Sequence, residues 1–261
     1  MRKYLLHVLI ISFVFLLAPT AHVASYAGEL EDAKEEVRKN PDDALAHFFL
    51  GVAYAESGKY EEAIESLKQV IEIDPDYTLA HSGLGVAYAE LGMQKEAIGS
   101  LKQAIRIDPD DVDAHCGLGL AYFTLGMDKE AIEPFKQAIE IDPDDALAHN
   151  GLGATYGRSG KYEEAIESLK QAIRIDPDHV KAHNNLGITY SKLGKNEEEI
   201  ESYKQAIRID PDYADAHNNL GYAYVDINDR DSALERYEIL KSLDPEWAKM
   251  LLDYIDKHTQ P

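Results

Sequence analysis

Residues 80–109 read AHSGLGVAYAELGMQKEAIGSLKQAIRIDP. The first nine letters return, altered only in detail, as AHFFLGVAY from Ala46, AHCGLGLAY from Ala114 and AHNGLGATY from Ala148. They return again as AHNNLGITY from Ala182 and AHNNLGYAY from Ala216, and each start lies 34 residues after the last. The prolines keep the same step, at Pro41, Pro75, Pro109, Pro143, Pro177, Pro211 and Pro245. A fixed period of this length marks an array of stacked units, each too small to bury its apolar faces without a neighbour.

Within that stretch Leu84, Tyr88 and Leu91 share one helical face, and Ala97, Ile98, Leu101 and Ile105 share another. Gly85 and Ala97 are small where two helices must approach closely. Gly92 suits the position past a helix C-terminus, and Pro109 stops the second helix. The aspartates beside each proline are suited to cap the helix that follows. Each unit therefore predicts two antiparallel helices. The order Leu84-Gly85-Tyr88, then Ala97, Leu101 and Pro109, resembles the tetratricopeptide repeat, a helix–turn–helix module.

The resemblance implies an all-α fold: a right-handed α-solenoid of six tandem units over 44–77, 78–111, 112–145, 146–179, 180–213 and 214–247. The chain departs from the family pattern in one respect. Histidine fills the usual tryptophan place throughout, at His47, His81, His115, His149, His183 and His217. Flanking amphipathic stretches, ELEDAKEEVRKNPDD from Glu29 and EWAKMLLDYIDKH from Glu246, read as capping helices, assigned to 28–43 and 248–261. Two units break their own rules. Pro134 falls inside a second helix, where it forfeits the bond to the Glu130 carbonyl and predicts a kink. Glu199 stands where the other units have alanine, so its stem is predicted to thread outward and keep the carboxylate wet.

The opening MRKYLLHVLIISFVFLLAPTAHVASYAG has two cations, an apolar run from Tyr4 to Ala18, then small residues. This is the layout of a secretory signal, assigned to 1–27, with cleavage expected after Ala27 or, as second choice, after Ser25. An uncleaved N-terminal anchor is the alternative. Export to a bacterial periplasm or cell envelope is expected, with secretion as the other destination. Cys116 is the sole cysteine, so stability must come from packing rather than an internal disulfide. The formal charge is −22, and such a field repels nucleic acid and anionic lipid surfaces alike.

Chemistry has few footholds. Successive rungs of the histidine ladder lie on equivalent helices at least about 8–10 Å apart, too far to share a metal ion. The aspartate-rich links, such as Asp142, Asp144 and Asp145, lack the glycine turn and terminal glutamate of a calcium loop. No motif for catalysis or phosphate binding occurs, so no enzyme activity, cofactor or metal is expected.

What remains is recognition. In the repeats this chain resembles, the first helix of each unit lines a concave groove that holds partner segments. In the first three units the matching places include Phe48, Phe49, Val52, Ser82, Gly83, Val86, Cys116, Gly117 and Leu120, an apolar stretch. In the last three they include Asn150, Ala154, Arg158, Lys181, Asn184, Asn185, Ile188, Lys192, Asn218, Asn219 and Tyr222. An asparagine offers a donor and an acceptor, so a row of them can hold an extended backbone without reading its sequence. A similar row occurs in the repeats of the protein O-linked N-acetylglucosamine transferases, whose catalytic domain has no counterpart here. Arg158, Lys181 and Lys192 are expected to meet a partner's carboxylates.

The reading is thus a non-enzymatic adaptor of the cell envelope that binds a protein or peptide partner. Two alternatives stay open: an assembly factor for an envelope machine, and a substrate-recruiting subunit of an envelope enzyme. The first resembles the six-repeat pilus-assembly pilotins, although this chain lacks their lipid-bearing cysteine. A homo-oligomer is a further option, since alike units can stack between chains.

Overall fold

The computed structural model describes residues 23–259. The expected leader lies outside the described residues over 1–22, and its last positions, 23–27, fall in helical backbone. Among the described residues there are fourteen α-helices and no strand. None of these helices is long and apolar enough to cross a membrane.

The helices fall into two compact units, residues 1–141 and 142–261. The first contains α1 (Val23–Lys39), α2 (Ala44–Glu56), α3 (Tyr60–Ile73), α4 (Thr78–Glu90), α5 (Gln94–Ile107), α6 (Val112–Thr124) and α7 (Asp128–Ile141). The second contains α8 (Ala146–Arg158), α9 (Tyr162–Ile175), α10 (Val180–Lys192), α11 (Asn196–Ile209), α12 (Ala214–Asp226), α13 (Arg230–Leu243) and α14 (Pro245–His258). Within each, a first helix packs on its own second helix, and that helix packs on the next first helix.

Close approach inside a pair depends on glycine. A β-carbon on Gly51 would lie 2.8 Å from the Leu67 side chain, and one on Gly119 would lie 2.8 Å from Phe135. The turns between paired helices use glycine differently. Gly58, Gly92, Gly126, Gly160 and Gly194 all sit in the left-handed region, with φ between 66° and 78°. The last turn has Asn228 there instead, at φ 62°. Asparagine tolerates that region less well than glycine. Asn228→Gly is therefore expected to stabilise the chain by about 0.5 kcal/mol, read as a rise in urea midpoint at unchanged slope.

The histidine ladder is structural. Each ring Nε2–H donates to the carbonyl of the proline six residues earlier: His47 to Pro41 at 2.8 Å, His81 to Pro75 at 2.9 Å and His115 to Pro109 at 2.9 Å. In the second unit His149 reaches Pro143 at 3.1 Å, His183 reaches Pro177 at 3.0 Å and His217 reaches Pro211 at 2.8 Å. The imidazole thereby pins the link between successive repeats, a bond that fixes the Nε2–H form of the ring.

A second ladder was not foreseen from the sequence. Lys68 and Lys102 lie over Tyr88 and Tyr122 of the following first helices, 5.8 and 5.4 Å from the ring centres. Lys170 and Lys204 repeat this over Tyr190 and Tyr224 in the second unit. Lys34 of α1 takes the same station over Tyr54, at 5.8 Å. So α1 keeps the register of a second helix, and Leu30, Ala33 and Val37 pack against Leu50, Ala53 and Tyr54.

Aspartate caps α2, α6, α8, α13 and α14, whereas Tyr77 and Tyr213 precede α4 and α12 without a side-chain bond. At α10 His179 takes the capping place, its Nδ1 accepting from the Ala182 N–H at 3.3 Å. The helical backbone of α7 runs on through Pro134 to Ile141.

Glu199 corrects the reading from sequence. Its side chain does not thread outward; the residue is 5% exposed, in the place that alanine fills in the other units. Burial raises its carboxyl above the usual range, a hydrogen bond from Ser191 pulls the other way, and nearby Asp226 raises it further. At the C-terminal end Arg230 clasps α14, donating to the Thr259 hydroxyl and to Asp256, each at 2.8 Å.

Candidate functional site

In the second unit the first helices α8, α10 and α12 touch one another in sequence, and together they carry the recognition residues expected there. The asparagines do not stand as independent groups. Asn185 donates its Nδ2 to Oδ1 of Asn150 at 3.0 Å, and Asn219 donates likewise to Asn184 at 3.0 Å. Each pair joins residues 35 apart in sequence, one more than the period. That offset is the signal by which the pairing could have been found, because it joins neighbouring places on adjacent helices. Each pair uses one amide group from each partner, leaving the Asn150 Nδ2, the Asn185 Oδ1 and the matching atoms of the second pair. Asn184 is 4% exposed, Asn150, Asn185, Asn218 and Asn219 are half-buried, and Asn218 Oδ1 is buried without a hydrogen-bond partner.

The charged and apolar members are placed differently. Lys181 and Lys192 are exposed at the two ends of α10, and Arg158 is exposed at the end of α8. Ile188 lies between the lysines, 38% exposed. Positions 181, 185, 188 and 192 recur at helical spacing, so they share one side of α10. Tyr222 marks the border of this face. Its ring meets Tyr254 of α14 edge-on at 4.9 Å, and the Tyr254 hydroxyl donates to Asp226 at 3.2 Å.

The corresponding face of the first unit is apolar, with one correction. Phe48 belongs to the core, packed against Tyr77 at 5.3 Å, rather than to the face. Leu45 and Leu79 are exposed, as is Leu120 at 56%. The Ser82 hydroxyl is turned to Asp111, donating to Oδ2 at 2.7 Å while that carboxylate also caps α6.

Neither the histidines nor the aspartate links gather into a cluster. Among the described residues no group of three or more histidine, cysteine or acidic side chains could hold a metal ion. The link aspartates instead fold back on themselves, as where Asp142 accepts from the Asp144 N–H at 3.0 Å and Asp176 from the Asp178 N–H at 3.1 Å.

Comparison with known proteins agrees with this geometry. A family model described as TPR repeat matches residues 51–92, 88–126, 123–160, 158–194 and 189–228, and one described as tetratricopeptide repeat matches 214–246. Among solved structures the chain is similar to YrrB, described as a TPR protein with an unusual peptide-binding site. The two are 26% identical, with 72% of this chain and 96% of that one covered at a TM-score of 0.57. It is also similar to MamA, at 28% identity, 63% and 96% coverage and a TM-score of 0.56. PilW, a type IV pilus biogenesis factor, shares the fold at 21% identity, 80% and 98% coverage and a TM-score of 0.74. No curated protein matches the chain.

Proposed function

The chain belongs to the tetratricopeptide repeat family, and on that premise we propose that it is a non-enzymatic scaffold holding a partner polypeptide against the first helices of its second unit. One observation carries the reading. Ile188 stands exposed between Lys181 and Lys192, beside asparagine pairs that keep unused donors and acceptors. An apolar anchor ringed by polar groups that can hold a backbone is what an extended peptide needs. The likeness to YrrB, a protein with a peptide-binding site of its own, supports the same use of the fold. The leader-like opening of the sequence favours the cell envelope as the setting.

The test is a photo-reactive phenylalanine derivative placed at Ile188 and, separately, at Glu201 on the exposed side of α11. The expected result is a discrete partner adduct from position 188 and none from 201, with the 188 adduct weakened when Asn185 and Asn219 are both alanine. Adducts formed only from 201 would place the partner on the opposite side and end the proposal.

A further inference from the structure

Resting on that reading, we infer that the segment received over α10 is acidic: a peptide whose carboxylates flank an apolar residue seated on Ile188. Lys181 and Lys192 stand eleven positions apart on one helix, so their backbones are separated by about 16 Å. Neither forms an ion pair within the described residues, although the chain carries 48 acidic side chains against 26 basic ones. On the first helices α2, α4, α6, α8, α10 and α12 the only lysines and arginines are Arg158, Lys181 and Lys192, and the two lysines stand on either side of an exposed isoleucine.

The surrounding charges define where the acidic residues sit. On α12 the places equivalent to Lys181 and Lys192 hold Asp215 and Asp226, and Asp226 is already engaged by Tyr254. Acidic side chains of the partner are thus excluded from α12 and drawn to α10. The net charge of −22 opposes any acidic ligand at long range. Physiological salt screens that field over about 8 Å, whereas each direct ammonium–carboxylate contact within about 4 Å retains up to about 1 kcal/mol. Long lysine stems let both ammonium groups lean toward a chain crossing the helix between them. The backbone of that chain meets the spare amide groups of the Asn150–Asn185 pair. None of this requires a free C-terminus on the partner.

Three short, fluorescently labelled synthetic peptides with amidated ends test the inference by anisotropy. One has aspartates and glutamates around a central leucine, one has asparagine and glutamine in their place, and one has lysines. The acidic peptide is expected to bind the full chain about tenfold more tightly than either of the others. The double variant Lys181→Gln, Lys192→Gln, with unchanged helical circular dichroism, is expected to bring it down to the level of the uncharged peptide. Equal binding of acidic and uncharged peptides, tighter binding of the lysine peptide, or an acidic peptide indifferent to the double variant would each overturn the acidic class. If position 188 still cross-links a partner after such a result, the peptide-holding face stands and only its charge preference falls. If 188 yields no adduct, the face itself is wrong.

Discussion

Alanine at Gly85 is expected to lower the chain's stability by about 2–3 kcal/mol, while alanine at Gly99, in the same repeat, raises it by about 1 kcal/mol. Both substitutions add one methyl group to a helix and gain the same backbone entropy. Only the surroundings differ. A β-carbon at Gly85 would collide with the Leu101 side chain, which is buried in the seam between α5, α4 and α6. Leu101 cannot retreat, because Ala97, Ala104, Ala114 and Leu118 pack in the same cluster. A β-carbon at Gly99 meets nothing within 4 Å. Urea unfolding followed by circular dichroism gives the two shifts. In an array, damage to one seam can uncouple its neighbours, so a broadened transition for Gly85→Ala agrees with the expectation. Equal shifts of the same sign would show that close approach is not what the glycine provides.

That contrast also indicates what the sequence could and could not reveal. Gly85, Leu101 and Pro109 recur with one period, and periodicity speaks for the backbone: the helix pairs, the turn glycines and the family were legible from it. Departures from the period were harder. Glu199 reads as a surface residue by type, yet its station is set by the backbone of α11, which delivers that position to the seam whatever side chain it bears. Phe48 lies in core for the same reason. The asparagines at 150, 185, 184 and 219 looked like a row of separate contacts because their pairing depends on the relative height of adjacent helices. The lysine–tyrosine ladder crosses from one repeat to the next in the same way. Each contributes about 0.5–1 kcal/mol, too little to leave a strong trace beyond its repetition. Of the candidate face, then, the residue types were legible and their mutual bonding was not.

The second large effect concerns acid. The buried side chains His179, Glu199 and His217, all in the second unit, have shifted values. Burial pushes both imidazoles below their ordinary range; for His179 nearby Asp176 opposes this, and for His217 the bond to Pro211 does so. A histidine whose folded value is depressed contributes stability that is complete above its unfolded value. That contribution is lost as the pH falls through about 6.5, because the unfolded chain then takes up protons that the folded chain resists. Protonation has a structural reason to be costly at His179, since its Nδ1 must stay an acceptor to cap α10. Glu199 works in the opposite sense. Its raised folded value means that its favourable contribution is complete at low pH and fades as the pH rises through that value, leaving a buried carboxylate as a cost near neutrality.

Moving from about pH 7.5 to about pH 5.5 is therefore expected to lower the urea midpoint of the parent chain, because in that window the unfolded chain takes up protons on two histidines that the folded chain resists. His179→Asn keeps a capping acceptor without the titrating ring, so it should reduce the acid sensitivity at little cost at pH 7.5. His217→Ala should reduce that sensitivity too, at a cost of about 2–3 kcal/mol at pH 7.5 that becomes smaller at pH 5.5. It removes a side chain 2% exposed and leaves the Pro211 carbonyl unpaired. Glu199→Ala should gain about 1 kcal/mol at pH 7.5, a gain that shrinks as the medium is acidified. A parent chain with the same midpoint at both pH values, or a His179→Asn variant that keeps the whole acid response, would mean that these buried rings are not what ties the second unit's stability to pH.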